Sequence, residues 1–135
     1  MAKLQLEIVT PDRVVLSAEA DYVSLPGAEG EFGVLPGHIP YFAALGVGCM
    51  HYEAEGQKGY ACVTGGFAEV TGNKVQVLVD SAELAAEIDV PRAEAALRRA
   101  QDRLERAKKG DALSIVRAEA ALRRALVRLQ AAKLG

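Results

Sequence analysis

The spacing of hydrophobic residues along this chain changes at about residue 88. Near the start, Leu4, Leu6 and Ile8 alternate with polar residues, which is typical of a half-buried strand. Short β-branched runs continue to about residue 83, separated by turn sequences such as PGAEGEFG, PGH, EGQKG and TGNK. Within the last of these, Gly72-Asn73 predicts a tight hairpin, since both residues tolerate positive φ. Many short strands without an intervening helix predict an all-β sandwich or barrel.

After Ile88 the apolar residues follow the period of an α-helix. A first stripe comprises Ala93, Ala96, Leu97, Ala100, Leu104 and Ala107, and a second comprises Ala118, Leu122, Ala125, Leu129 and Ala132. The intervening KKGD predicts a helix end, with Gly110 as a left-handed cap and Asp111 as the next N-cap. So short a connection makes the helices antiparallel.

The predicted fold class is therefore α+β, with a β-sandwich at residues 1–86 followed by an antiparallel two-helix hairpin at residues 87–135. Because both stripes are dominated by alanine, each helix buries little area, and burial contributes only about 25 cal/mol per Å². We expect the hairpin to depend on the sandwich, a ligand or a partner for its stability.

The composition narrows the class of protein. The longest apolar runs are far shorter than the roughly 18 residues of a membrane span. The first residues also lack the apolar core of a signal peptide. Cys49 and Cys62 are too few for a disulfide framework and fit no metal motif. These features predict a reduced, cytosolic setting.

The net charge of −2 conceals a strong asymmetry. Up to Pro91 there are 4 basic and 13 acidic residues, giving −9, whereas from Arg92 onward there are 12 and 5, giving +7. A basic helical half suits nucleic acid, an anionic membrane, an acidic protein loop or an anionic ligand. It is also compatible with a solvated face that binds nothing.

The heptad EIDVPRA marks the start of the first helix. Asp89 is a favoured N-cap, and Pro91 falls in the first turn, where its missing donor costs nothing. Ile88 and Ala93 then occupy the two positions of a hydrophobic staple. This cap explains every part of the segment except Arg92.

Arginines recur with the same spacing on both predicted helices, in the rows Arg92, Arg99, Arg103 and Arg117, Arg124, Arg128. Two such rows can face a common anion, because the guanidinium fork binds phosphate oxygens in pairs. Alternatively they are solvated and pair with nearby carboxylates such as Glu94, Asp102 and Glu105. No G-x-x-x-x-G-K-S/T segment is present, so no hydrolytic P-loop is predicted.

Other candidate chemistry is sparse. His38 and His51 are isolated from metal ligands, and His38 is expected on a turn. The loop around Glu29 and Glu31 is either a docking edge or a plain turn. Because no nucleophile, acid/base pair or metal set emerges, the chain is not predicted to be an enzyme.

Four segments occur together in a recognisable order: VTPDRVV, GEFGVLPGHIP, VTGGFAEV followed by KVQVLVDSAE, and IDVPRAEAAL. Over its whole length the chain thereby resembles the ε subunit of bacterial F-type ATP synthases. The resemblance implies a sandwich of about ten strands and two helices. It further implies a non-catalytic central-stalk subunit whose sandwich binds the γ subunit and the c-ring. The hairpin would either fold on the sandwich or extend to the catalytic β and α subunits and inhibit ATP hydrolysis.

The same resemblance implies specific site residues. ATP would act as a regulatory ligand, with no metal required, bound by Glu83, Ile88, Asp89, Arg92, Ala93, Arg99, Arg124 and Arg128. Glu31 and His38 would face the c-ring and γ. The protein would be peripheral, on the cytoplasmic face of the bacterial plasma membrane.

Two further hypotheses come from different classes. The basic hairpin could serve a nucleic-acid or acidic-protein binding module. Against nucleic acid, the helices offer no aromatic residues for stacking, and the other half is acidic. A small enzyme on a β-sandwich is the third, for which the residues supply no catalytic set.

Overall fold

The computed structural model of the chain describes residues 2–134. These residues contain eight strands, one 3-10 turn and two α-helices. The strands are β1 (Leu4–Val9), β2 (Val14–Ala20), β3 (Tyr22–Gly27), β4 (Gly30–Val34), β5 (Tyr41–Leu45), β6 (Gly48–Ala54), β7 (Gln57–Thr71) and β8 (Lys74–Leu84). A 3-10 turn at Ala85–Glu87 leads into the helices α1 (Val90–Ala107) and α2 (Ala112–Leu134).

The strands form one hydrogen-bonded path that folds back on itself as a sandwich. Its order is β2-β1-β8-β7-β5-β3-β4, and β6 bridges β3 and β7. All neighbours are antiparallel except β1 and β8, which are parallel. Alternate side chains point into one core, where Leu4, Leu6 and Ile8 are fully buried. The predicted alternation and the predicted fold class are thereby confirmed.

The long strand β7 joins the two layers. Residues 57–63 pair with β6 and residues 66–70 pair with β5. The change of partner falls at Gly65 and Gly66, which have φ of 45° and 149°. A Cβ at Gly66 would lie 2.1 Å from the carbonyl oxygen of Leu78, so only glycine fits there. The resemblance implied about ten strands; the described residues form eight because β7 and β8 each continue unbroken through both halves.

The caps of the helices follow the predicted chemistry with one correction. The Asp89 carboxylate accepts the Arg92 backbone N–H at 3.1 Å, and Asp111 accepts that of Ser114 at 2.8 Å. Gly110 was predicted to be a left-handed cap, and this is wrong, because its φ does not lie in the positive range. Instead α1 ends in a tightened turn in which the Gly110 N–H donates to the Ala107 carbonyl at 2.8 Å.

The two helices pack through alanines, as the stripes predicted. Ala93, Ala100 and Ala107 are buried on α1, and Ala118 and Ala125 on α2. Of the two helices, α2 makes the main contacts with the sandwich, against β6, β7 and the 3-10 turn. A small cluster centred on Cys62, Ile88, Ala93 and Ala131 forms this junction, separate from the sandwich core. The hairpin is therefore held to the sandwich by a thin apolar contact.

Candidate functional site

A cleft of about 400 Å³ lies between the two helices, the middle of β7 and the last residues of β8. This volume falls within the range of small-molecule sites, about 300–1,000 Å³. Its walls are four arginines, four alanines and four residues of the sheet. They are Arg99, Arg103, Arg124, Arg128, Ala96, Ala100, Ala121, Ala125, Cys62, Thr64, Ser81 and Glu83.

The local structure explains why these side chains converge. On each helix the two cleft arginines are four residues apart, which puts them on one face. The alanines on the same two faces are too small to fill the space. On the sheet, Thr64 lies opposite Ser81 and Cys62 opposite Glu83, so alternate residues of both strands face the helices. The hydroxyl oxygens of Thr64 and Ser81 are 2.6 Å apart and share a hydrogen bond.

One ion pair crosses the cleft. The Arg128 guanidinium donates from Nε to Glu83 Oε1 at 2.6 Å and from Nη2 to Oε2 at 3.1 Å. Such a bidentate fork is more specific in geometry than a single contact. Because Glu83 belongs to β8 and Arg128 to α2, this pair ties the hairpin directly to the sandwich.

The cleft is strongly electropositive. Four guanidinium groups face a single carboxylate, so its walls carry an excess of three positive charges. Arginine forks match the oxygens of phosphates and carboxylates, and in a partly enclosed site their attraction is screened less than at an open surface. The arrangement suits an anion with several oxygens, such as a polyphosphate.

The structure divides the predicted ligand residues into two groups. Glu83, Arg99, Arg124 and Arg128 all line the cleft. Arg103 also lines the cleft. Its position in the first arginine row was the sequence feature that indicated this role. The hydroxyl residues Thr64 and Ser81 were missed, because only the register of β7 and β8 brings them to the cleft.

The residues of the heptad lie beside the cleft instead of lining it. Ile88 and Ala93 are buried in the junction cluster, as the predicted staple required. Asp89 caps α1, while Arg92 is exposed on the first turn. The Ile88–Ala93 segment thus fixes where α1 begins, and Arg92 stays a predicted ligand residue without a contact in the cleft.

The two residues predicted to face a partner lie toward opposite ends of β4, with Glu31 near its start and His38 after its end. Glu31 on β4 accepts a hydrogen bond from the Ser24 hydroxyl. His38 lies on a turn, as predicted, because its backbone N–H donates to the Leu35 carbonyl at 3.1 Å. Beside this turn Ile39 is 73% exposed, so the loop presents an apolar side chain to solvent.

A second exposed feature crosses the outer face of the sheet, and we call it the apolar row. Five apolar residues on neighbouring strands are successive register partners across the sheet. They are Ala44, Phe67, Leu78, Val9 and Val14. Phe42 stacks on Phe67 with ring centroids 5.2 Å apart and adds to it. Such a contiguous apolar surface is characteristic of an interaction site.

Between residues 2 and 134, no group of three or more His, Cys, Asp or Glu side chains is placed to hold a metal ion. Neither α1 nor α2 combines the length and the hydropathy that crossing a membrane requires.

Comparison with known families accounts for both parts of the chain. The family model described as ATP synthase, Delta/Epsilon chain, beta-sandwich domain matches residues 3–85. The model for the long alpha-helix domain of the same chain matches residues 86–133. The chain belongs to the ATP synthase delta/epsilon chain family.

Two similar relatives of this delta/epsilon family member are bacterial epsilon chains. It is 56% identical over 106 residues to the ATP synthase epsilon chain of Nitratidesulfovibrio vulgaris (strain DP4), covering 78% of this chain and 79% of that one. It is 51% identical over 106 residues to the ATP synthase epsilon chain of Lawsonia intracellularis, covering 78% and 80%.

Solved structures share the fold. A chain of the Euglena gracilis mitochondrial ATP synthase, solved as OSCP/F1/c-ring, superposes with a TM-score of 0.82 at 27% identity, covering 100% of this chain and 83% of that one. A chain of the Tetrahymena thermophila mitochondrial ATP synthase central stalk and c-ring superposes with a TM-score of 0.62 at 16% identity, covering 97% of each, and shows the fold alone.

Proposed function

We propose that this chain is a non-catalytic subunit of the central stalk of a proton-translocating F-type ATP synthase. In this role the sandwich joins the γ subunit to the c-ring, and the helices regulate ATP hydrolysis. The observation that carries the proposal is the apolar row on a member of the delta/epsilon family. A domain that exposes a line of apolar side chains, one from each of five neighbouring strands, needs a partner to cover them.

The apolar row is the surface that γ covers. One end of the row combines Phe67 and the stacked Phe42, and aromatic side chains are enriched in protein interfaces. The turn that carries His38 and the strand that carries Glu31 face the c-ring side. Both contacts together place the sandwich at the foot of the stalk.

Co-purification of tagged full-length protein with co-expressed γ and c-ring tests this surface. Phe67→Glu should abolish the capture of γ, because it puts a charge in place of an aromatic side chain within the covered face. Thr71→Glu, which adds the same charge on the same strand at another exposed position, should retain it. Wild-type protein that captures neither γ nor the c-ring would overturn the proposal.

The cleft is the regulatory site, and its ligand is ATP. The phosphates bind among the arginines of α1 and α2, and Glu83 closes the adjoining end of the cleft. The electropositive walls support this ligand, since one polyphosphate can neutralise their excess charge. A nucleotide held by both helices and the sheet stabilises the docked hairpin, because it binds that arrangement alone.

When the hairpin is released from the sandwich (the lifted state), its basic residues reach acidic loops of the catalytic β and α subunits. In this position the hairpin obstructs rotation. The contrast between a half with charge −9 and a half with charge +7 supports this exchange of partners. The thin junction between α2 and the sandwich supports the mobility that it requires. The protein then works as a peripheral component on the cytoplasmic face of a bacterial plasma membrane.

Titration calorimetry of the isolated full-length protein tests the ligand. We expect ATP to bind and no phosphate to be released, since no catalytic set lines the cleft. The absence of binding heat at millimolar ATP would remove the regulatory proposal and leave the stalk proposal intact. Steady phosphate release by pure protein would contradict the non-catalytic role.

A further inference from the structure

The two cysteines face each other across β6 and β7, where Cys49 is the register partner of Cys62. The turn between these strands is the two-residue Glu55-Gly56, with φ of 54° and 78°, typical of type I′. The residues that flank such a turn, Ala54 and Gln57, form a hydrogen-bonded pair, and pairs then alternate in type along the ladder. Five positions further on, the cysteines form a non-hydrogen-bonded pair. Cα atoms in such pairs are about 4.5 Å apart, within the range of about 4.4–6.8 Å that a disulfide spans.

Helix α2 covers both thiols. The Cys49 thiol donates to the Val127 carbonyl at 3.5 Å, and Cys62 is only 2% exposed. Cys62 packs in the junction cluster with Ala131 of α2. The two sulfur atoms therefore lie on the face of the sandwich on which the hairpin docks.

Burial also suppresses the reactivity of these thiols while the hairpin is docked. It raises the pKa of Cys49 above its usual value and raises the pKa of Cys62 to about 12. The thiolate is the form that attacks a disulfide, so both groups are poor nucleophiles in this state. Removal of α2 exposes them to water and restores ordinary thiol chemistry.

We propose that Cys49 and Cys62 are a disulfide-forming pair that α2 guards, so that oxidation occurs only when the hairpin is lifted from the sandwich. The pair would be a redox-modification site whose accessibility reports the position of the hairpin. The proposal rests on the hairpin mobility of the proposed function and does not depend on the ligand of the cleft.

The chemistry is thiol–disulfide exchange with a low-molecular-weight disulfide such as oxidised glutathione. The Cys49 thiolate attacks one glutathione sulfur, forming a mixed disulfide and releasing one glutathione thiolate, which takes up a proton. The Cys62 thiolate then attacks the Cys49 sulfur and releases the second glutathione. Two protein thiols are oxidised to one disulfide, and one glutathione disulfide is reduced to two thiols.

The oxidised pair disfavours redocking. A disulfide holds its sulfur atoms about 2.05 Å apart, which shifts the Cys49 sulfur from the position in which it meets the Val127 carbonyl. It also removes the S–H group that the Val127 carbonyl accepts in the docked state. Oxidation therefore favours the lifted hairpin, the state assigned above to the inhibition of hydrolysis.

The test compares the oxidation rates of full-length variants by oxidised glutathione in the absence of ATP, with acid quenching and peptide mass mapping. Ala131→Asp lifts the hairpin, because it buries an unpaired carboxylate in the junction. It should form the disulfide at least about 100-fold faster than wild type, the lower end of the range expected for an uncompensated buried charge. Gln130→Asp adds the same charge at an exposed neighbour and should oxidise at the wild-type rate. Cys62→Ser should give only a glutathione adduct on Cys49.

Two results would overturn the proposal. If the cysteines of native wild-type protein oxidise as fast as those of protein unfolded in guanidinium, α2 does not protect them. Ala131→Asp protein with fast amide exchange in α2 that yields glutathione adducts without the internal disulfide would show that the register does not bring the sulfurs together. Calorimetry with ATP is a separate experiment, so failure of the cleft proposal and failure of this one are distinguishable.

Discussion

Replacing Arg128 with alanine should loosen the hairpin without disturbing the sandwich. The substitution removes both hydrogen bonds to Glu83, at 2.6 and 3.1 Å. Hydrogen bonds between charged groups contribute about 1.5–3 kcal/mol net, and partial exposure of both side chains reduces that through solvent screening. We therefore expect docking to weaken by about 1–2 kcal/mol, which corresponds to a 5–30-fold larger open fraction. Helix propensity does not contribute, since alanine is the best helix former.

Native-state hydrogen exchange measures this change segment by segment. Amides of α2 in Arg128→Ala should exchange about 5–30 times faster than in wild type, while those of β1 and β8 should be unchanged. Arg123→Ala, at an exposed position of the same helix outside the cleft, is the control. Glu83→Gln should reproduce the effect, and the double variant should add little to either single change. Equal α2 exchange in Arg128→Ala and wild type would refute the role of this pair in docking.

Three further changes probe the cleft and the helices. Arg124→Ala should weaken ATP binding about 10–100-fold by calorimetry, because it removes a charge-assisted contact, whereas Arg98→Ala on the exposed face should not. Ala118→Leu should destabilise the hairpin by about 1–3 kcal/mol in denaturant titrations that follow helical signal, because Ala118 is fully buried and lies outside the cleft. Hydrogen bonding to Ser114 lowers the pKa of Asp111 below its usual 3.8. The contribution of Asp111 to the stability of α2 should be complete above pH 3.8 and lost as the pH falls through the lower pKa of the folded state. Circular dichroism of wild type and Asp111→Ala over this pH range would detect the loss.

Much of the fold could be predicted because local patterns decided it. The alternation around Leu6 specified a strand with one buried face, and the alanine stripe around Ala100 specified the packed face of α1. The N-caps Asp89 and Asp111 followed from side-chain chemistry alone. Gly110 was predicted wrongly, because a helix can also end by tightening its last turn, and sequence does not choose between the two endings.

The cleft could be predicted only in part. The repeated spacing of Arg99 and Arg124 placed both on helix faces, but whether two faces meet depends on how the hairpin sits on the sheet. That docking comes from a cluster around Cys62, whose burial no periodicity indicates. Thr64 and Ser81 joined the site through strand register, a long-range property. The apolar row likewise exists only because five separated segments share one register line.

Hydrogen exchange of the hairpin with and without ATP tests the central claim most directly. If the cleft binds ATP in the docked state alone, ligand at 100 times its dissociation constant should stabilise that state by about 2.7 kcal/mol. Amides of α1 and α2 that exchange through undocking should then slow by about 100-fold, while β1 and β8 keep their rates. Exchange of the hairpin that is the same with and without saturating ATP would contradict the account.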